Sequence, residues 1–147
     1  MPTSTLTTFA DLAEQMGKGV HNFSTHTFKL ALSNTVPIAA INAVLADITQ
    51  IAASGGYTAG AGGGYAVAGA GYTETGGTAT FTFTDHVITA TGGSVGPFRY
   101  VVLYNDTATS PADALVGYLD YGSAITLADT ETLTVDLGAS GILQVAA

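Results

Sequence analysis

The spacing of hydrophobic positions changes character several times along the chain. Phe9, Leu12, Ala13 and Met16 fall at i, i+3, i+4 and i+7, the spacing of one face of a short helix. Thr8, or Asp11 with Glu14 three residues on, can cap it. Gly17 and Gly19 end it, because glycine takes the left-handed conformation common just past a helix C-terminus. From His26 to Ser33 the period drops to two. Phe28, Leu30 and Leu32 share one face and Thr27, Lys29, Ala31 and Ser33 the other, which predicts a first strand.

Between Val36 and Ile51 two readings stand side by side. Ile41, Val44, Leu45 and Ile48 fit a helical face, while Pro37 and the following alanines equally suit an irregular crossing segment. Residues 52–77 are Gly-rich and have linker composition. Tyr57, Tyr65 and Tyr72 punctuate them, however, and large amphipathic rings are costly to leave in solvent. An ordered loop with one short strand near Gly64 to Ala70 is the expectation.

From Thr78 onward the period is two. Phe81 and Phe83 alternate with Thr80, Thr82 and Thr84, and Phe98, Tyr100, Val102 and Tyr104 alternate with Arg99, Val101 and Leu103. Apolar residues on both faces of the second run mark a central, buried strand. Asn105-Asp106 and Ser110-Pro111 carry turn chemistry, Leu115 to Tyr121 is the expected neighbour, and Ala128-Asp129-Thr130 makes a further turn. Leu133, Val135 and Leu137 then point inward from a strictly alternating run, and Ile142 to Val145 follows Gly138 and Gly141. Short strands at this spacing predict one antiparallel β-sandwich or barrel over residues 1–147, with a helical segment in 1–20 and a Gly-rich loop at 52–77.

Charge narrows the partners. Only 10% of the 147 residues are charged, against roughly a quarter in an ordinary soluble domain. The net charge of −8 sets 11 acids against Lys18, Lys29 and Arg99, which leaves no basic patch for nucleic acid or an anionic membrane surface. Ile48 to Thr73 holds no charge, yet it is mostly Gly and Ala, with Ile48, Ile51 and Val67 its only large aliphatics, too few for a membrane span. Met1 to Thr8 does not read as a secretory signal, and the absence of Cys excludes a disulfide scaffold.

Candidate chemistry is thin. Gly92-Gly93-Ser94-Val95-Gly96 matches the letters of a nucleophile elbow, but a strand rather than a helix follows and every His precedes Ser94. His21, His26 and His86 have no ligand spacing and read as surface or strand-end residues. Asp106, Asp113, Asp120, Asp129 and Asp136 lack calcium-loop spacing and read as solvated turn acids, although two from different loops could share a Ca²⁺. No carboxylate pair stands out for glycoside hydrolysis, and the glycines contain no phosphate-binding pattern. These residues call for no catalytic role and no cofactor.

Several segments together resemble a family of small structural proteins of tailed bacteriophages. They are Phe28-Lys29-Leu30-Ala31-Leu32-Ser33-Asn34-Thr35, Leu45-Ala46-Asp47-Ile48-Thr49-Gln50-Ile51, Gly56-Tyr57-Thr58-Ala59-Gly60, the run from Gly96 to Thr107, the run from Leu115 to Ser123, and Gly141-Ile142-Leu143. The resemblance implies a jelly-roll-like capsid decoration or cement protein, made in the host cytoplasm, bound to the major capsid protein on the outer capsid surface, with no catalytic residues. Phe9, Tyr57, Tyr65 and Tyr72 are the candidate contact residues, the alternative being that they pack on their own sandwich. A tail or fibre module that stacks tyrosines on host-surface carbohydrate is the second reading, and a hydrolase ranks below both. Low charge and a mean hydropathy of +0.39 predict that the isolated chain is a dimer or trimer. Light scattering over a hundredfold concentration range checks this, and a strictly monomeric mass contradicts it.

Overall fold

A computed structural model describes residues 6–137 and 141–146. Strands dominate: β1 (Thr7–Thr8), β2 (Phe28–Ser33), β3 (Tyr65–Ala66), β4 (Gly71–Thr75), β5 (Thr78–Thr82), β6 (His86–Thr89), β7 (Val95–Thr109), β8 (Ala112–Leu127), β9 (Thr132–Val135) and β10 (Leu143–Ala146). One helix, α1 (Asp11–Gly17), and a single 3-10 turn, Leu45–Asp47, complete the described elements. None is a helix long and apolar enough to cross a membrane.

Antiparallel pairing orders the strands β1-β8-β7-β2-β3 in one sheet, β10-β5-β4 in a second and β6-β9 in a third. The long β7–β8 hairpin is the spine of the first. It turns at Ser110-Pro111, and bulges interrupt its register near Phe98 and between Leu103 and Tyr104. The two smaller sheets cover the front face of the first. Phe28, Leu30, Leu32, Val101, Leu103, Val116 and Leu119 pack there with Phe81, Phe83, Ile88, Leu133 and Val135. The back face is closed by loop residues, since Phe9, Leu45 and Ile48 pack on Ala31, Val102, Tyr104 and Leu115. The domain is therefore mainly β and sandwich-like; this strand order does not establish a jelly-roll connectivity.

Alternation explains the front core. Phe28, Leu30 and Leu32 lie within 1% of full burial on that face, as their period predicts, and Phe81 anchors the opposite layer with ring centroids 4.3 Å from both Phe23 and Phe83. Aromatic pairs at such distances add to area burial. Turn chemistry was less legible. Asn105-Asp106 does not turn but continues β7, because Asn105 is fully buried and its side chain is consumed inside the fold. Helix α1 starts at Ala10 without a side-chain cap, so neither Thr8 nor Asp11 serves. Thr8 is engaged in β1 opposite Gly117, where a Cβ would lie 2.8 Å from Leu6 Cγ and Thr7 O. The stretch 52–77 is less of a loop than expected: β3 falls at the anticipated place, and β4 adds a second strand because Tyr72 faces Phe81 across the β4–β5 pair.

Tyr57 ties this stretch down. Beyond Leu30, β3 no longer borders β2, so Leu32 N–H would be left without a strand partner. The buried Tyr57 hydroxyl accepts it at 2.9 Å and donates to Gln50 Oε1 at 2.8 Å, while Leu32 O accepts Ile51 N–H at 3.0 Å. Burial pushes the Tyr57 phenol up to about 12, with the Leu32 N–H opposing the shift. Removing that hydroxyl leaves a buried N–H unsatisfied, which costs about 1–3 kcal/mol. Tyr57→Phe is expected to lose that much unfolding free energy in urea titrations, and a loss below about 0.5 kcal/mol would contradict the role.

Candidate interaction surface

None of the sequence candidates assembles into a reaction centre. Ser94 is exposed at the entrance to β7, and the carbonyls of Gly93 and Ser94 pack so closely on Gly55 that a Cβ there would lie 2.7 Å from each. Among the described residues no group of three His, Asp or Glu side chains is placed to hold a metal ion. His86 opens β6, its ring 5.4 Å from that of Tyr65, and burial holds its pKa below the ordinary value. His21 is not a surface residue: it is buried, and it meets His26 at the Asn105 side chain.

The acids are not simply solvated either. All three cations are paired, Lys18 with Glu14, Lys29 with Asp106 at 3.1 Å and Arg99 with Asp120 at 2.7 Å. The Arg99 fork grips both Asp120 oxygens and holds that carboxyl below the usual range. Most other acids accept backbone N–H groups in turns. Asp47 takes Ala43 and Val44, Glu74 takes Gly77, Asp85 takes Leu137, Asp129 takes Gly92 and Glu131 takes Ala128. The carboxylates thus serve as loop staples, and their charge stays uncompensated by any cation.

Two of the four nominated contact residues turn inward. Phe9 and Tyr57 are 1% and 2% exposed, locked in the back and front clusters, so they offer no contact surface. Tyr65 and Tyr72 are half-buried, Tyr65 against Tyr57 and Tyr72 against Phe23. All 13 Tyr and Phe rings are buried or half-buried, so none is presented freely to a partner.

What the fold does present is aliphatic. Val36, Ile38 and Ile41 are 56%, 52% and 70% exposed on the arch that leaves β2 and crosses the back face. Each foot of the arch is anchored. Asn42 Oδ1 accepts Ile38 N–H at 2.6 Å while Ile38 O accepts Asn42 N–H at 2.9 Å, closing a reciprocal turn. Ala39 O accepts Ala10 N–H and Ala43 O accepts Leu115 N–H, and Leu45 and Ile48 plug the back core. A depression of about 120 Å³, lined by Val36, Pro37, Ile38 and Ile48 among others, lies beside the exposed chains.

Of the two sequence readings of this segment, the irregular crossing segment is the one that forms. A helical face would have turned Ile41 inward with Leu45, but no α-helix forms beyond the single 3-10 turn Leu45–Asp47, because Asp47 takes the Ala43 and Val44 N–H groups and Val44 bridges to Ala114 in extended conformation. The available signal was the charge-free run Val36-Pro37-Ile38-Ala39-Ala40-Ile41, with Pro37 breaking any continuation of β2.

Fold and surface together define a mainly β, sandwich-like domain with exposed aliphatic side chains on a hydrogen-bonded arch. No known family model, curated protein or solved structure matches the chain. Because its side chain makes little use of the core, Ile41→Ser is expected to change unfolding free energy by less than about 0.5 kcal/mol. A loss of more than about 1 kcal/mol of unfolding free energy in urea titrations would show the side chain to be structural.

Proposed function

We propose that this protein is a virion structural subunit of a tailed bacteriophage, a decoration or cement protein that binds the outer surface of the assembled capsid at junctions between major capsid subunits. The anchored arch with Val36, Ile38 and Ile41 in solvent is the observation that carries this reading. Apolar side chains held rigidly outside a core lose little entropy when a partner covers them, which favours binding. The uncompensated acids support an outer position, because a chain of net charge −8 is repelled by packaged DNA.

Magnitude decides how such a subunit must work. Covering one Val and two Ile that are already partly buried contributes on the order of 3–5 kcal/mol, which corresponds to roughly millimolar affinity for a single copy. A dimer or trimer engaging several equivalent sites on a lattice gains a further 10²–10⁴ or so through effective concentration. Binding confined to the assembled lattice then stabilises the shell by mass action. The carbohydrate-binding alternative draws no comparable support, since stacking on sugars needs exposed aromatic rings and all 13 are at least half-buried.

Gel densitometry of purified virions is expected to find copies in the hundreds, and shells lacking the protein to open at lower temperature. The double variant Ile38→Ser, Ile41→Ser should fold normally yet lose at least about tenfold in sedimentation with empty shells. A handful of copies per particle, or full shell binding by the folded double variant, would overturn the reading.

A further inference from the structure

The residues around Asn105 form a polar cluster that the proposed capsid role does not use. Asn105 is fully buried in β7, and its orientation is determined by its neighbours. Its Oδ1 accepts Thr107 N–H at 3.0 Å and Ala108 N–H at 3.2 Å, which forces the Nδ2 group to the opposite side. There Nδ2 lies 3.1 Å from His21 Nδ1 and 2.9 Å from His26 Nδ1, with Val20 O farther off at 3.4 Å. An amide NH₂ has two protons and only donates. The two ring nitrogens are the nearer acceptors and take its two protons, so both imidazoles present an unprotonated Nδ1 and carry their proton on Nε2, which at His21 is buried with no hydrogen-bond partner. Asn22 N–H donates to the same His26 Nδ1 at 3.3 Å, which reinforces that tautomer.

This cluster joins the segment between α1 and β2 to the sheet spine. The segment carries Phe23, buried against Phe28, Phe81 and Tyr72. We propose that the His21–Asn105–His26 triplet is an acid-labile staple. While both rings are neutral they hold residues 20–26 on β7. Protonation of His21 at Nδ1 sets a donor against the Asn105 donor, and the segment lifts off, uncovering the apolar faces of Phe28 and Phe81.

The surroundings offer an imidazolium little compensation. His21 faces buried Phe23 and Phe28 rings, His26 and the uncharged Asn105; Asp11 on α1 is the one acid that favours its charge, and Lys18 shares an open depression with His26. Burial, with the nearby His26 adding to it, holds His21 down to about 4 from an ordinary 6.5. A base held down in this way contributes stability that is complete above about pH 6.5 and is lost as pH falls toward 4.

Amide hydrogen exchange, corrected for intrinsic rates, tests this on the whole chain. Between pH 7 and 5.5 the opening of residues 20–26 should rise about eightfold in the wild type, the ratio that a folded value of about 4 against 6.5 gives. Asn105→Asp keeps an oxygen for Thr107 and Ala108 and turns the other toward the rings as an acceptor for imidazolium. Its segment should become better protected over the same interval, a reversal of sign that a merely structural asparagine would not produce. Parallel pH dependence in the two proteins would overturn the staple. Imidazole ¹⁵N spectra of the wild type provide a test that needs no variant: unprotonated Nδ1 on both rings and a His21 titration below pH 5 are expected, and an Nδ1–H tautomer or titration near 6.5 would refute the proposal.

Discussion

Strand β7 must be covered on both faces, and the rest of the structure is arranged around that requirement. Val101 and Leu103 project to the front and Val102 and Tyr104 to the back, all at most 1% exposed. Each of these side chains would cost about 1.5–3 kcal/mol to leave in water. Two small sheets cover the front, but no further sheet covers the back. Loop segments do that work instead: Phe9 comes from the connection between β1 and α1, and Leu45 and Ile48 come from the arch after β2. A loop pressed onto a sheet must satisfy its own backbone polar groups. The arch does so through the side chains of Asn42 and Asp47, and this is what holds Val36, Ile38 and Ile41 rigidly in solvent. The proposed contact surface is thus a by-product of how the back face is closed.

The uncharged stretch from residue 48 to residue 73 is fastened to the same sheet. It runs along the edge of β2, where Tyr57 replaces a missing strand partner and Tyr104 donates a short bond to Gly63 O across the sheet edge. Lys29 adds Gly62 O at 2.7 Å to its pairing with Asp106. Glycine is needed at Gly64, where φ is +86° and a Cβ would collide with the Leu30 carbonyl. Composition that resembles a flexible linker here serves close approach to a sheet edge. The stretch nonetheless stays largely exposed, with Ile48, Gly55, Tyr57, Gly63 and Val67 its buried residues.

Electrostatics separates structural from associative roles. Three ion pairs consume every cation, two of them fastening β7, to β2 through Lys29–Asp106 and to β8 through Arg99–Asp120. The remaining acids mostly accept backbone N–H groups, which fastens turns without neutralising charge. The protein therefore carries a negative field with an uncharged aliphatic display set in it.

The period-two runs determined the strands that matter most. Phe28 to Leu32, Val101 to Tyr104 and Leu133 to Leu137 face the directions their alternation requires, because a strand's side chains have only two sides to choose from, whereas Phe98, expected on the face of Val102 and Tyr104, is turned to the front core by the register shifts on either side of it. The short helix was equally legible, although its cap was not, since Thr8 is claimed by a strand pair that sequence alone does not reveal. Of the candidate site, sequence determined the charge deficit and the lack of a catalytic pattern. Tertiary structure decided the rest. It buried Phe9 and Tyr57, turned Ile41 outward while Leu45 from the same apparent helical face went inward, and brought His21 and His26 onto Asn105, some 80 residues away along the chain. None of these outcomes is encoded in a local period. Each depends on which backbone groups the sheet leaves unpaired, and that is settled only when distant strands meet.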